Sequence, residues 1–295
     1  MNFLPRTDLA LEDCKDKENE LLEYEINDVK IQKIVIDSSN SRHYRKKEGT
    51  YYSLTTDAFV LLDHDKCNDI SDVLKEVLEE IYEEYGLTLD SYILVVGLGN
   101  DEVTPDSLGP KVLRNIFVTK HLADLTEIDD NLGVVGAISP GVMGQTGIET
   151  SDIINAVVKK TKPDLVLVVD ALASRSLHRI NRTIQISTSG INPGSGVGNK
   201  RKEISYKTLG VPVVAIGVPT VVDVISIFND TLEFVASVNE EEKLEYNEYD
   251  VQEALNESNL NYMVTPKEID EVMNMLCDTI AKGINTSIHN LNIYE

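Results

Sequence analysis

The 295-residue sequence contains no tryptophan, only three cysteines and little positive charge. Lysine and arginine number 27 against 50 acidic residues, which gives a formal net charge of −23. Such a chain lacks the basic face that nucleic-acid binding requires, so we expect no direct contact with nucleic acid. The cysteines, Cys14, Cys67 and Cys277, show no CxxC spacing. They predict neither a disulfide framework nor a zinc site, and they fit a reducing compartment.

Long apolar runs are also missing. No stretch reaches the roughly 18 apolar residues of a membrane span, and the first twenty residues lack the apolar core of a signal peptide. We therefore expect a cytoplasmic protein that does not contact a membrane. The five histidines form no HExxH or HxxxH pair. We expect no histidine-based zinc site and assign no metal ligand.

What the sequence does contain is a regular alternation of apolar strands and helices between residues 92 and 228. The expected strands in this region are Tyr92–Gly97, Asn131–Ile138, Leu165–Val169, Thr183–Ser187 and Val211–Val218. Helical patterns lie between several of them. This alternation predicts an α/β fold with a mostly parallel sheet and helices on both faces.

Further elements flank this region. An N-terminal β extension is predicted from the alternating pattern of Glu25–Asp37 and from short strands at Tyr51–Leu54 and Ala58–Leu62. The expected helices cover Asp72–Tyr85, 105–121, Ser151–Lys160, Val221–Phe228 and, at the C-terminal end, 266–290. The acidic segment 239–261 is rich in Glu and Asn and is typical of a flexible insertion.

The stretch Tyr92–Pro110 contains the first candidate site residue. Its strand runs into a glycine-containing turn, Gly97–Asn100, and then into a helix entry formed by Thr104, Pro105 and Asp106. Asp106 thereby lies just past the carboxyl end of a core strand, where ligands collect in open α/β sheets. An aspartate in a first helical turn also interacts favourably with the helix dipole, so this position alone does not establish a site.

A second stretch of the same kind strengthens the functional interpretation. Leu165–Val169 is again a buried strand, and it is followed by Asp170 and by small residues. Parallel strands place their carboxyl ends at one edge of a sheet. We therefore expect Asp106 and Asp170 to lie near each other.

Three common motifs are excluded, two of them by a single position and one by its spacing. A dinucleotide-binding GxGxxG loop starting at Gly97 would need glycine where Glu102 stands. A P-loop starting at Gly194 would need glycine where Asn199 stands. A GxSxG serine nucleophile around Ser195 has the wrong spacing, and no strand leads directly into it.

The combined motifs resemble the germination protease family of spore-forming bacteria. The matching stretches cover nearly the whole chain and are specific in combination. They are RTDLALE (Arg6–Glu12), VGLGNDEVTPDSLGP (Val96–Pro110), AISPGVMGQTG (Ala137–Gly147), VVDALASR (Val168–Arg175), PGSGVGNKRK (Pro193–Lys202) and GVPT (Gly217–Thr220).

This resemblance implies a fold similar to that of the hydrogenase-maturation endopeptidases. It implies an atypical aspartic protease without a cofactor, whose essential aspartates fall on Asp106 and Asp170. It further implies a homotetramer in the forespore or spore core that begins the degradation of small acid-soluble spore proteins. The family is made as a zymogen that removes a short N-terminal propeptide by self-cleavage.

The physical interpretation of the two aspartates agrees with that implication. Two close carboxylates repel, so one retains a proton while the other is ionised. Such a pair can act as acid and base on one water and one amide. We expect Asn100 and the backbone amides around Gly141 and Gly144 to hold the substrate carbonyl.

The N-terminal motif predicts the site of self-cleavage. The family cuts after an acidic residue that is followed by a bulky apolar residue, alanine, a small residue and glutamate. Residues 8–12 fit this pattern except at Leu11, which replaces the small residue. We expect cleavage between Asp8 and Leu9, with 1–8 as propeptide and 9–295 as a single α/β protease domain. The candidates for a basic subsite that receives acidic substrate residues are Arg175, Lys200, Arg201 and Lys202.

Two alternatives remain open at this point. The same fold could serve a metal-sensing maturation endopeptidase, in which acidic residues at the strand ends bind a metal of the partner protein. A non-enzymatic scaffold could use the glycine loops to bind a small ligand. The first predicts sensitivity to a chelator, and the second predicts that no cleavage depends on Asp106.

Overall fold

We describe the fold from a computed structural model of the chain. The residues described are 7–13, 21–44, 46–122, 131–194, 201–239, 254, 258 and 262–290. Within them, none of the helices combines the length and the apolar character that a bilayer crossing requires. The acidic segment 239–261 falls almost entirely outside the described residues.

Nine strands of the described chain form one mixed sheet. They are β1 (Leu21–Ile26), β2 (Val29–Ile36), β3 (Gly49–Thr55), β4 (Tyr92–Gly97), β5 (Val134–Ile138), β6 (Leu165–Ser174), β7 (Thr183–Ser187), β8 (Val213–Asp223) and β9 (Met263–Val264). The strand order is β1-β2-β3-β7-β8-β6-β4-β5, and β9 pairs with β8. The strands β8, β6, β4 and β5 are parallel to one another, whereas the other pairings are antiparallel.

Helices cover both faces of this sheet. The α-helices are α1 (Ser41–Tyr44), α2 (Ala58–Leu61), α3 (Cys67–Glu84), α4 (Leu108–Arg114), α5 (Met143–Thr146), α6 (Thr150–Thr161), α7 (Tyr206–Leu209), α8 (Val224–Asn239) and α9 (Ile269–Ile288). Short 3-10 helices occur at Ala10–Asp13, His64–Lys66, Thr104–Asp106, Lys120–Leu122 and Leu177–Arg179.

The alternation of side chains along β4 shows how the two faces are built. Ile93 and Val95 belong to a core cluster that includes the apolar faces of α3 and α9. Leu94 and Val96 belong to a second cluster with residues of α6 and α7. Successive strand residues point to opposite faces, so a run of apolar residues marks a strand buried on both sides.

The α/β class, the N-terminal β extension and the C-terminal helix are confirmed. The antiparallel part is larger than the sequence indicated, because β7 returns between β8 and β3 and joins the N-terminal strands to the parallel core. The sheet is therefore mixed, with its parallel part restricted to four neighbouring strands.

Several local expectations differ from the structure. The single strand expected at Glu25–Asp37 is a hairpin, because Asn27 and Asp28 adopt φ angles of 52° and 61° and form a tight turn. The strand expected at Ala58–Leu62 is the short helix α2. A five-residue apolar run does not distinguish a buried strand from a buried helix.

The helix expected over 105–121 is divided. The structure has a 3-10 turn at Thr104–Asp106 and then α4, which ends at Arg114. The strand expected to end at Val218 continues to Asp223, and the helix after it runs from Val224 to Asn239. The residues at which these two expectations fail, Pro105–Asp106 and Thr220–Val221, line a cavity at the end of the sheet.

Candidate active site

Asp170 lies within β6, in the centre of the sheet. The sequence placed it at the end of this strand, but β6 continues to Ser174 because β8 continues beside it. Asp170 pairs in register with Gly217 of β8. Its side chain is only 5% exposed, and its Oδ1 accepts a hydrogen bond of 3.0 Å from the N–H of Ala171.

Asp106 reaches the same region from the loop after β4. The N–H of Asn100 donates to the backbone oxygen of Asp106 at 3.0 Å and to its Oδ2 at 2.9 Å. Gly99 makes this approach feasible. Its φ is +113°, and an added Cβ would lie 1.9 Å from the backbone oxygen of Asp106. Only glycine fits such a position without displacing the aspartate.

Side-chain contacts hold this loop from two directions. The hydroxyl of Thr220, a fully buried residue of β8, donates to the Pro105 carbonyl at 2.6 Å. The side-chain oxygen of Asn100 accepts a 2.7 Å hydrogen bond from Nε2 of Gln145, which belongs to α5 in the glycine-containing segment after β5. The two glycine-containing loops are therefore tied together at the carboxyl ends of adjacent strands.

A cavity of about 550 Å³ opens between these loops and the strand ends. Both aspartates line it, as do Asp8, Thr220 and Arg201. Its volume lies within the range of typical small-ligand sites. Asn100, Gly141 and Gly144 also line it, so most of the residues selected from the sequence face one space.

The electrostatics of the two aspartates differ. Burial raises the pKa of Asp170 well above its usual range, and the carboxylates of Asp106 and Asp8 raise it further. Burial also raises the pKa of Asp106, but the hydrogen bond from Asn100 opposes that increase. The more buried Asp170 is therefore the carboxyl that retains a proton, and Asp106 is the one that ionises first.

The N-terminal segment 7–13 is docked against this site. The N–H of Asp8 donates to the Ala173 carbonyl at 3.2 Å, and the N–H of Ala173 donates to Oδ2 of Asp8 at 3.0 Å. Leu9 and Ala10 are each 1% exposed. The segment is therefore bound to the last residues of β6 through Asp8, and its Leu9 and Ala10 are buried.

Glu12 anchors the far end of that segment. Its carboxylate is held by the hydroxyl of Ser174 at 2.7 Å and by the N–H of Ser176 at 3.1 Å. The N–H of Arg175 donates to both carboxylate oxygens, and the Arg179 side chain lies 3.9 Å away. The hydroxyl of Thr7 also donates to this carboxylate. A buried carboxylate with this many donors is well satisfied, and the turn after β6 is a specific acid-binding feature.

The predicted basic residues have different positions. Arg175 does not line the cavity, and its guanidinium donates to the Glu12 carbonyl at 2.6 Å. Arg201 lines the cavity and contacts the Met143 sulfur at 3.4 Å. Lys202 is bound to Asp152 on the surface at 2.8 Å. Lys200 lies outside the described residues.

Sequence reasoning missed Gln185, Arg179 and the donors of the Ser174–Ser176 turn. Gln185 occurs in the alternating strand β7, where a polar residue normally marks the solvent face. The turn acts mainly through backbone N–H groups, which have no sequence signature. The contact of Thr220 with the loop that carries Asp106 was also missed. Its signal in the sequence was the GVPT motif, which follows a buried apolar run.

Among the described residues, no group of three or more His, Cys, Asp or Glu side chains is arranged to hold a metal ion. Asp8, Asp106 and Asp170 line one cavity but do not form such a group.

The chain is similar to known proteins over nearly its whole length. The family model described as "Germination protease" matches residues 8–249. The germination protease of Clostridium acetobutylicum is 41% identical, over 96% of this chain and 94% of the relative. The germination protease of Oceanobacillus iheyensis is 39% identical, over 97% of this chain and 95% of the relative.

A solved structure is also similar, although more distantly. It is the crystal structure of the NiFe hydrogenase maturation protease HycI from Thermococcus kodakarensis. The match has a TM-score of 0.36 and 17% sequence identity, and it covers 72% of this chain and 98% of that chain. By the family match and the curated relatives, the chain belongs to the germination protease family of peptidases.

Proposed function

We propose that this peptidase is an endopeptidase of the aspartic type, in which Asp106 and Asp170 activate water for attack on a peptide bond. One observation carries the proposal: a buried aspartate and a second, less buried one line the cavity beside a docked peptide segment. Their pKa values are raised to different extents, as an acid and base pair requires.

The reaction can be written with its protons balanced. Ionised Asp106 removes a proton from water, whose oxygen bonds to the carbonyl carbon, while protonated Asp170 gives its proton to the carbonyl oxygen. The C–N bond then breaks as Asp106 passes its proton to the leaving nitrogen. The new carboxyl group returns a proton to Asp170, and both aspartates regain their initial states.

The supporting groups have distinct parts in this proposal. The N–H of Asn100 orients Asp106 and keeps it the more acidic partner, so Asn100 acts on catalysis through that carboxylate. The backbone amides near Gly141 and Gly144 remain proposed contacts for a substrate carbonyl, supported by their place in the cavity wall.

We also propose that the chain is a zymogen that cleaves itself between Asp8 and Leu9. Residues 1–8 are then the propeptide, and 9–295 form the single protease domain. The docked segment supports this site, because Asp8 lines the cavity and Leu9, Ala10 and Glu12 after it are buried. A segment that occupies the cavity would also hinder entry of other substrates.

Substrate selection follows from the cationic groups near the segment. Arg175, with Arg201 in the cavity wall and Lys200 nearby in sequence, is proposed to receive acidic side chains. The contacts of the Glu12 carboxylate support a preference for glutamate at the fourth position after the cut. The substrates proposed are small acid-soluble spore proteins, cleaved by a homotetramer within the spore core.

The experiment uses a purified spore protein of this class as substrate. We expect cleavage by the activated wild-type chain and a loss of at least about 1,000-fold in kcat for Asp106→Asn and Asp170→Asn, since each removes one proton-transfer group. Asp57→Asn is the matched control, because Asp57 is exposed and pairs with Arg182. Equal activity in all four proteins would contradict the proposed aspartate pair.

A further inference from the structure

Gln185 lies in the same cross-strand row as the buried aspartate. It pairs in register with Gly217 of β8, and Gly217 pairs with Asp170 of β6. Side chains of directly paired residues project from the same face of a sheet. Gln185 and Asp170 therefore project from one face, two strands apart, with a glycine between them.

The amide group of Gln185 holds the docked segment at two points. Its Oε1 accepts a hydrogen bond of 2.7 Å from the N–H of Ala10. Its Nε2 donates to the Asp8 carbonyl at 3.4 Å. One side chain thus spans Leu9 and binds backbone groups on both sides of it.

A second set of contacts holds the opposite side of the same peptide. The backbone N–H of Asp8 donates to the Ala173 carbonyl of β6, and the Asp8 carboxylate accepts from the N–H of Ala173. The segment is therefore held between the edge of one strand and a side chain from another. A glutamine amide offers the same donor and acceptor as a peptide bond, so Gln185 acts as a substitute for a neighbouring strand.

We propose that Gln185 is a positioning residue for the substrate backbone, which binds the carbonyl of the cleaved bond and the N–H of the second residue after it. The inference rests on the proposed function, because it takes Asp8–Leu9 as the cleaved bond. The contact to the carbonyl is long in the docked segment. It holds the carbonyl in position for attack by water and for proton transfer from Asp170.

This assignment is independent of side-chain specificity. Both contacts are to backbone atoms, so every substrate bound in this register makes them. It also differs from the expectation that Asn100 and the glycine loop hold the carbonyl, because Gln185 belongs to β7 and not to the loops after β4 and β5. Loss of a backbone contact should impair all substrates alike, whereas loss of an acid-binding contact should impair only those with the matching glutamate.

The test compares two synthetic peptides that contain the sequence of residues 6–12. In the second peptide an ester replaces the amide between the residues equivalent to Leu9 and Ala10. This change removes the N–H that donates a hydrogen bond to Oε1 of Gln185. Wild type should cleave the ester peptide with a kcat/KM about 10-fold lower than the amide peptide. The position of cleavage is read by mass spectrometry.

Variants separate positioning from folding. Gln185→Leu should lower kcat/KM for the amide peptide about 10-fold and should cleave the two peptides at equal rates. Gln185→Glu retains the acceptor but loses the donor. It should still discriminate against the ester while its kcat falls. Gln32→Leu is the matched control, because Gln32 lies on β2 outside the cavity lining and bonds to Glu23.

The outcomes distinguish the inference from the function on which it rests. A Gln185→Leu protein that still prefers the amide peptide about 10-fold overturns the role of Gln185 and leaves the peptidase proposal intact. Equal cleavage of both peptides by wild type also overturns it. A wild-type protein that cleaves neither peptide contradicts the proposed cleavage rule, and the inference fails with it.

Discussion

The backbone N–H of Arg175 donates to both carboxylate oxygens of Glu12, at 3.0 and 3.3 Å, and its guanidinium donates to the Glu12 carbonyl at 2.6 Å. Two residues 163 positions apart in sequence are thus joined by three hydrogen bonds. The contact fixes the N-terminal segment against the end of β6, with Asp8 in the cavity that contains the proposed catalytic pair.

The first prediction concerns this anchor. Glu12→Gln should slow removal of residues 1–8 by about 10- to 100-fold, because hydrogen bonds to a charged group contribute about 1.5–3 kcal/mol. The measurement is a time course of intact mass under activating conditions. Glu25→Gln, on an exposed position of β1, should process at the wild-type rate. Equal rates for the two variants would show that the Glu12 contacts do not position the cleaved bond.

A second prediction concerns stability at neutral pH. The pKa of Asp170 is raised in the folded state, so its contribution to stability is full below the unfolded pKa and is lost as pH rises through the folded pKa. Each unit of pKa elevation corresponds to about 1.4 kcal/mol. Asp170→Asn should therefore increase the free energy of unfolding at neutral pH, while it abolishes cleavage.

Urea denaturation at two pH values tests that prediction. The increase in the free energy of unfolding caused by Asp170→Asn should be present near neutral pH. It should be absent below about pH 4, where the carboxyl group is protonated in both the folded and the unfolded state. Asp57→Asn, which removes an exposed carboxylate, should give no gain at either pH. A wild-type protein that is more stable than Asp170→Asn near neutral pH would contradict the raised pKa.

The pH dependence of cleavage supplies a third prediction. Activity requires ionised Asp106 and protonated Asp170, so the profile of kcat/KM should be bell-shaped. Its acidic limb should lie above the usual aspartate range, since the pKa of Asp106 is raised, and the alkaline limb should lie higher still. The two apparent values belong to the coupled pair. A profile that stays flat from mildly acidic to alkaline pH would contradict this assignment.

A fourth prediction concerns the loop that carries Asp106. Gly99→Ala should destabilise the fold by about 2–4 kcal/mol and displace Asp106, because the new methyl group would overlap its backbone oxygen. Gly144→Ala is the matched comparison for stability, since nothing lies within 4 Å of its added Cβ. Thermal unfolding of both proteins tests the difference. Equal melting temperatures for the two variants would show that position 99 tolerates a side chain and does not require glycine.

Much of the parallel core could be predicted from the sequence, because continuous apolar runs such as those of β4 and β6 are typical of strands buried on both faces. The expectation that Asp106 and Asp170 lie close together came from the same pattern, although β6 continues past Asp170. The hairpin at Asn27–Asp28 was missed because its turn lies inside an otherwise continuous alternation. The boundary at Asp223 was missed because pairing with a neighbouring strand, rather than local preference, extends β8.

The less predictable features of the site come from long-range contacts. Gln185 is an ordinary polar residue of an alternating strand until Ala10, 175 positions earlier, is brought beside it. The acid-binding turn at Ser174–Ser176 acts largely through backbone N–H groups, whose direction depends on the end of β6. Neither feature depends on a residue type that would mark it in the sequence.

The central claim is tested most directly by intact-mass spectrometry of purified protein incubated at mildly acidic pH. Wild type is compared with Asp106→Asn and Asp170→Asn under identical conditions. The account predicts that wild type alone loses residues 1–8 and begins at Leu9. Loss of the same residues from all three proteins would contradict it, because the cleavage would then not depend on the aspartate pair.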